Sequence, residues 1–179
     1  MSTRDIIMVT QSSASTPAWM NKLVGAAADV GNGITVDSVG NTYITGQIQT
    51  GTEYDAILVK YNSSGALQWQ VTIGAASVVD VSYCITVDSS SNVYIGGQTG
   101  PTCILAKYNT SGTLIWQKKY GLNFSDKITA ITIDSSGYIY TTGTMEGTFL
   151  LPTSAGFVTK YDSDGIIKLS TAIYHDTAN

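Results

Sequence analysis

The apolar positions of this chain fall in short runs rich in Ile, Val, Thr and Tyr, each closed by Gly, Asn, Asp or Ser. Runs of this kind read as strands separated by turns. Ile34 to Asp37 is one, and Thr42 to Gln47 follows it across Ser38-Val39-Gly40-Asn41. Ala56 to Asn62 and Leu67 to Ile73 complete a set of four, here labelled a to d. The a–b connector places Asp37, which can bond its own backbone, ahead of Gly40, which tolerates positive φ. The c–d connector Asn62-Ser63-Ser64-Gly65 repeats that chemistry, so tight hairpins are predicted at both places.

The whole set recurs twice. Ile85-Thr86-Val87-Asp88 and Ile131-Thr132-Ile133-Asp134 repeat run a, while Lys107-Tyr108-Asn109 and Lys160-Tyr161-Asp162 repeat Lys60-Tyr61-Asn62. The aspartates are 51 and 46 residues apart and the lysines 47 and 53 apart, so length changes only between the runs. A four-stranded meander in tandem, with Trp69 and Trp116 on the outer strand, is the sequence form of a β-propeller blade. The predicted fold is all-β: three four-stranded antiparallel blades at approximately 33–74, 84–121 and 130–174, plus an outer strand around Trp19. An arm, 1–17, precedes this repeat domain, 18–179.

The string Ile34-Thr35-Val36-Asp37-Ser38-Val39-Gly40-Asn41-Thr42-Tyr43-Ile44-Thr45-Gly46, followed by Leu58-Val59-Lys60-Tyr61-Asn62, resembles the bacterial seven-bladed propeller repeat called SBBP and, more loosely, NHL repeats. The resemblance runs from about residue 18 to 174 and implies architecture alone, because such repeats serve secreted, surface and structural proteins of differing roles. Two positions depart from it: Ser91 replaces the turn glycine of the second unit, and Leu169 stands where the other units have Trp.

Thirteen predicted strands do not close a ring, since propellers have at least about four blades. Three arrangements answer this: a piece of a longer protein, a ring completed by several copies, or an open stack capped by partners. The first is favoured because Ala172 to Asn179 stops where the next run a would start. Uncovered blade faces would otherwise be apolar patches.

Composition narrows the partners. Hydrophobic residues at 43% with mean hydropathy +0.10 support a packed core, and 43 Ser and Thr against 12% charged residues describe a hydroxyl-rich sheet surface. A net charge of -4 disfavours nucleic acid. The apolar stretch Ile6 to Val9 is too short for a secretory signal, and no membrane span is expected. Cys84 and Cys103 lack metal-ligand or redox spacing and are expected as buried free thiols on strands that are not neighbours.

Three groups of residues are candidates for function. Asp29, Asp80 and Asp126 each lie eight residues before the repeated Asp, in the d–a loop. They form either a ring of carboxylates for a cation or, the favoured reading, caps on their own loops. Lys60, Lys107 and Lys160, beside Tyr61, Tyr108 and Tyr161, form either a basic aromatic stripe or, again favoured, tyrosines packed between blades with lysine stems running to solvent. The b–c connectors, Ile48 to Tyr54, Gln98 to Thr102 and Thr144 to Ala155, vary in length and are the expected binding loops, with Thr50, Glu53, Tyr54, Pro101, Met145, Glu146, Phe149 and Leu150 as contact residues. The only His is His175 and the only Arg is Arg4, so no catalytic triad can be assembled, and neither metal nor cofactor is expected. Glu53, Asp55 and Glu146 fall on one loop side, which leaves a paired-carboxylate site for glycoside cleavage open, although acids at turns are too common for this to carry much weight.

The expectation is a non-enzymatic structural or attachment protein of a phage or virus particle, touching protein partners or copies of itself. A carbohydrate-binding or cell-surface propeller module, extracellular and meeting surface glycan, is the alternative. A glycan hydrolase or lyase fragment ranks third.

Overall fold

Each set of four runs closes into one antiparallel sheet. The computed structural model describes residues 29–74, 78–121, 126–145 and 155–173. Blade 1 comprises β1 (Val30–Val36), β2 (Thr42–Thr50), β3 (Glu53–Tyr61) and β4 (Leu67–Ile73). Blade 2 comprises β5 (Asp80–Val87), β6 (Val93–Thr99), β7 (Thr102–Tyr108) and β8 (Leu114–Tyr120). Blade 3 comprises β9 (Lys127–Ile133), β10 (Ile139–Met145), β11 (Ala155–Tyr161) and β12 (Ile167–Ile173). Strand order follows chain order in all three, as a meander requires. The described residues contain no helix, hence none long and apolar enough to cross a membrane. The strand expected around Trp19 lies outside the described residues.

The predicted turns form as their residues dictate. Asp37 Oδ1 accepts the N–H groups of Val39 and Asn41 at 3.1 and 2.8 Å, and Gly40 takes φ +86°. Asn62 Oδ1 likewise accepts Ser64 and Ala66 N–H at 3.1 and 2.8 Å, with Gly65 at φ +81°. Asp88, Asp134, Asn109 and Asp162 repeat these bonds in the other blades. Strand a begins earlier than its apolar pattern suggests, at Val30 in blade 1, because each innermost strand carries a bulge and continues beyond it. The shifts fall between Gly31 and Gly33, between Ser82 and Cys84, and opposite Thr142 and Gly143.

The blades pack face to face through their inner strands. β5 lies against β1, β2 and β3, and β9 lies against β5, β6 and β7. Between blades 1 and 2 the core holds Tyr43, Leu58, Ile85, Val93, Ile95, Ala106 and Tyr108, with Trp69 and Val87 at its margin. Between blades 2 and 3 it holds Cys84, Tyr94, Cys103, Leu105, Ile128, Ile139, Phe157 and Tyr161. Each fully buried aliphatic side chain such as Leu58 or Leu105 contributes about 1.5–3 kcal/mol over its exposed state. The alternation of strand side chains therefore serves two interfaces at once: in blade 2, Ala106 and Tyr108 face backward while Leu105 faces forward.

Candidate functional site

The meander gives each blade two unlike edges. One carries the a–b and c–d turns, the other the b–c hairpin tips and the starts of strands a.

The turn edge is occupied by one repeated side-chain column. Tyr43 donates its hydroxyl to Asp37 Oδ2 at 3.1 Å, Tyr94 to Asp88 at 3.1 Å, and Tyr140 to Asp134 at 2.9 Å. Burial opposes the charged form of Asp37, yet hydrogen bonds from Asn41, Tyr43 and the Val39 N–H outweigh it and hold the carboxyl below its ordinary range. Burial, followed by the bonded carboxylate, pushes the Tyr43 hydroxyl far up, so it remains a donor. Lys60 Nζ sits 5.2 Å from the Tyr43 ring centroid and Lys107 Nζ 5.1 Å from that of Tyr94.

Both ammonium groups then reach the next blade. Lys60 Nζ donates to the Thr110 carbonyl at 3.2 Å and Lys107 Nζ to the Ser163 carbonyl at 3.3 Å. The Trp69 and Trp116 indoles donate to the same two carbonyls at 3.0 and 3.1 Å. The expectation that these lysines run to solvent is therefore corrected for Lys60 and Lys107: a backbone acceptor in the following turn lies within reach of the stem. Tyr108 and Tyr161 are buried in the two inter-blade cores, as expected, whereas Tyr61 is buried with Ile57 and Val59 of its own blade. Lys160 has its ammonium 3.9 Å from the Tyr138 ring centroid and 5.1 Å from that of Tyr140. Sequence reasoning missed the inter-blade tie: the recurrence of Lys60 and Trp69 at Lys107 and Trp116 marks the donors but not the carbonyls they reach.

On the hairpin edge, two of the expected variable loops are corrected to tight turns. Thr50 pairs with Glu53 across Gly51-Thr52, and Thr99 pairs with Thr102 across Gly100-Pro101. Gly51 at φ +71° and Gly100 at φ +52° allow two-residue connections, so the strands zip up to the tip. Length variation is expressed as a longer hairpin in blade 1, with Thr50, Glu53 and Tyr54 paired at its tip, while Pro101 sits in the turn of the shorter blade 2 hairpin. The Thr50 hydroxyl bonds Asp55, and Gln98 Nε2 bonds the Gly100 carbonyl at 3.0 Å. Met145 ends β10, partly exposed; Glu146, Phe149 and Leu150 lie outside the described residues.

The three repeated acids also lie on this edge. Asp29 precedes β1 and accepts the Gln49 N–H at 3.3 Å, while Asp80 and Asp126 are buried at the starts of β5 and β9. Asp126 packs so closely on Gly121 that a Cβ there would lie 2.0 Å from its Oδ2. No three acidic, His or Cys side chains converge among the described residues. Cys84 and Cys103 are free and buried, on β5 and β7, which flank β6. Burial pushes each thiol up to about 12, which leaves both protonated and unreactive at neutral pH.

Tandem four-stranded meanders packed face to face define an array of β-propeller blades. In keeping with this, the family model for the SBBP β-propeller repeat matches residues 19–50, and units two and three repeat the Ile-Thr-Val-Asp to Gly pattern within that stretch. The matched stretch ends at the tip of β2, so the sequence repeat is offset from the structural blade. Among solved structures the chain is similar to a protein of unknown function from Bacteroides caccae, at 8% identity and TM-score 0.34, over 84% of this chain and 70% of that one. No curated protein matches the sequence.

Proposed function

We propose that this chain is a non-enzymatic structural or attachment protein that meets a protein partner through its hairpin edge, in an assembled particle such as a phage tail, fibre or capsid. The observation that carries the reading is the contrast between edges. On the turn edge every blade repeats the same Asp or Asn turns; on the hairpin edge the b–c hairpins differ, pairing out to Thr50 and Glu53 in blade 1, to Thr99 and Thr102 in blade 2 and only to Met145 and Ala155 in blade 3. An edge fixed by its own hydrogen bonds serves the scaffold, and an edge free to vary on that scaffold serves recognition. The sparsely charged, hydroxyl-rich composition suits a protein that contacts neighbours through many neutral hydrogen bonds.

The test is mass spectrometry and electron microscopy of purified particles, with hydroxyl-radical footprinting of the hairpin edge. A fixed copy number, with Tyr54, Pro101 and Met145 protected in the particle, is expected. Absence from any stoichiometric assembly overturns the particle setting. Glycan-array binding by the isolated chain supports the carbohydrate-binding alternative instead, and release of reducing ends from polysaccharide supports the hydrolase or lyase.

A further inference from the structure

The two joints between blades are built on equivalent positions, and they differ in kind at four of them. At the joint of blades 1 and 2, strand β4 brings Val71 and Ile73 to the core and blade 2 answers with Ile95 and Ala106. At the joint of blades 2 and 3 the same positions are Lys118 and Tyr120 on β8, and Thr141 and Thr159 on blade 3. The registers establish the equivalence: Val71 and Lys118 stand opposite Leu58 and Leu105, and Ile73 and Tyr120 opposite Ala56 and Cys103. Ile95 pairs with Ala106 as Thr141 pairs with Thr159. Four apolar positions of the first joint are thus polar in the second, while Tyr108 and Tyr161 keep one place in both.

The altered joint holds a cavity of about 170 Å³. Its lining joins the apolar Cys103, Ile128 and Phe157 to the hydroxyl-bearing Tyr120, Thr159 and Tyr161, so both blades contribute to it. The hydroxyls of Tyr120, Thr141 and Thr159 gather around that of Tyr161. Thr159 Oγ1 shares a hydrogen bond with Ser170 Oγ at 2.9 Å. Tyr120 Oη and Thr141 Oγ1 are buried and meet no partner in hydrogen-bonding geometry among the described residues. A buried hydroxyl left in that condition is destabilising. The first joint shows that Ile73 and Ile95 fill the same two positions without it, so packing alone does not account for the hydroxyls.

We propose that this cavity is a binding site for a small monocyclic aromatic compound with one polar substituent, its ring among Cys103, Ile128 and Phe157 and its polar atom accepting the Tyr120 hydroxyl. An apolar cavity of about 150 Å³ takes up benzene, so a phenol-sized molecule matches this one in volume. A sugar of the same size would bury several hydroxyls against the apolar part of the lining, where they find no partners. The Tyr120 ring is held against that of Tyr161, centroids 5.8 Å apart and tilted by 37°, which fixes where the donor points. The site lies inside the joint and is independent of the hairpin edge and of any particle.

The test uses phenol as the probe, with two-dimensional NMR and thermal melting of the full 179-residue chain. Phenol is expected to shift amides of β8 and β11 saturably and to raise the melting temperature. Tyr120→Phe removes only the unpartnered hydroxyl, so it is expected to weaken phenol binding roughly tenfold while melting no lower than wild type without phenol. Ser170→Trp, at an exposed position in the lining, is expected to block the site. Gln117→Trp, the exposed counterpart at the first joint, is expected to leave binding intact. No saturable shift in wild type, or glucose filling the site in preference to phenol, overturns the proposal. So does a Tyr120→Phe chain that binds phenol like wild type, or one that melts lower without phenol, which would make the hydroxyl structural.

Discussion

Trp116 of blade 2 donates its indole N–H to the Ser163 carbonyl of blade 3 at 3.1 Å, as Trp69 of blade 1 does to Thr110 of blade 2. A neutral hydrogen bond of this kind contributes about 0.5–1.5 kcal/mol. Trp116→Phe removes the donor together with part of the bicycle that lies against Gly165, so urea denaturation is expected to show a loss of at least that size with an unchanged m-value. An unchanged midpoint would mean that the indole contributes neither the hydrogen bond nor packing.

The second prediction concerns glycines whose role is steric. A Cβ on Gly97 would lie 2.0 Å from the Val81 carbonyl oxygen, and one on Gly46 would lie 1.8 Å from that of Val30. Both clashes are with backbone at the strand a bulge, which cannot yield without breaking the register. Gly97→Ala is expected to cost about 3 kcal/mol, the upper range for overpacking. Gly156→Ala, where the nearest atom is 3.6 Å away, is expected to cost under about 1 kcal/mol by the same measurement.

Ser91 takes φ +59° at the turn where blades 1 and 3 use Gly40 and Gly137. A side chain in that conformation costs about 1–2 kcal/mol. Ser91→Gly is therefore expected to raise stability by about 1 kcal/mol, after the entropy that glycine adds to the unfolded chain. A lower midpoint would show that the Ser91 side chain contributes contacts of its own.

Much of the fold was legible because its determinants are local. Asp37, Gly40, Asn62 and Gly65 state two turns within a few residues, and the apolar runs between them state the strands. The b–c tip of blade 1 was misread because Gln49, Thr50, Thr52 and Glu53 are polar, which resembles a loop; Gln49, Thr50 and Glu53 are paired strand residues at a hairpin tip where little side chain needs burying, and Thr52 lies in the two-residue turn. The Lys60 and Trp69 ties escaped for another reason. Their acceptor is Thr110, and no pattern within a strand announces which distant carbonyl a side chain will reach. The bulges were equally silent, yet Gly46, Gly97 and Gly143 recur opposite them and are their one sequence trace.

Acid should loosen the turn edge. Asp37 and Asp134 are both held below the ordinary carboxylate range; burial opposes this, and the turn N–H groups with Tyr43 and Tyr140 outweigh it. A carboxyl depressed in the folded state gives stability that is complete above its unfolded value, about 3.9, and is lost as pH falls through the folded value. Melting temperatures from about pH 6 down to pH 2 are expected to drop below about pH 4. Asp37→Asn, which puts an amide donor against the Tyr43 hydroxyl and Asn41, is expected to lie lower at neutral pH and to converge on wild type in acid. A constant gap between the two would remove the carboxylate from the explanation.

The central claim is that equivalent blades are stabilised by leaning on one another, so the blade covered on both faces should be the most stable. Val93, Tyr94, Ile95, Leu105 and Ala106 of blade 2 are all buried, drawn into the cores on its two sides, whereas β12 and β1 are largely exposed. Native-state hydrogen exchange at low protein concentration reads this directly. Amides of β6 and β7 are expected to exchange slowest, near the global unfolding limit, with β1 and β12 fastest. Equal protection in all three blades, or a middle blade that opens before the outer two, would contradict the account.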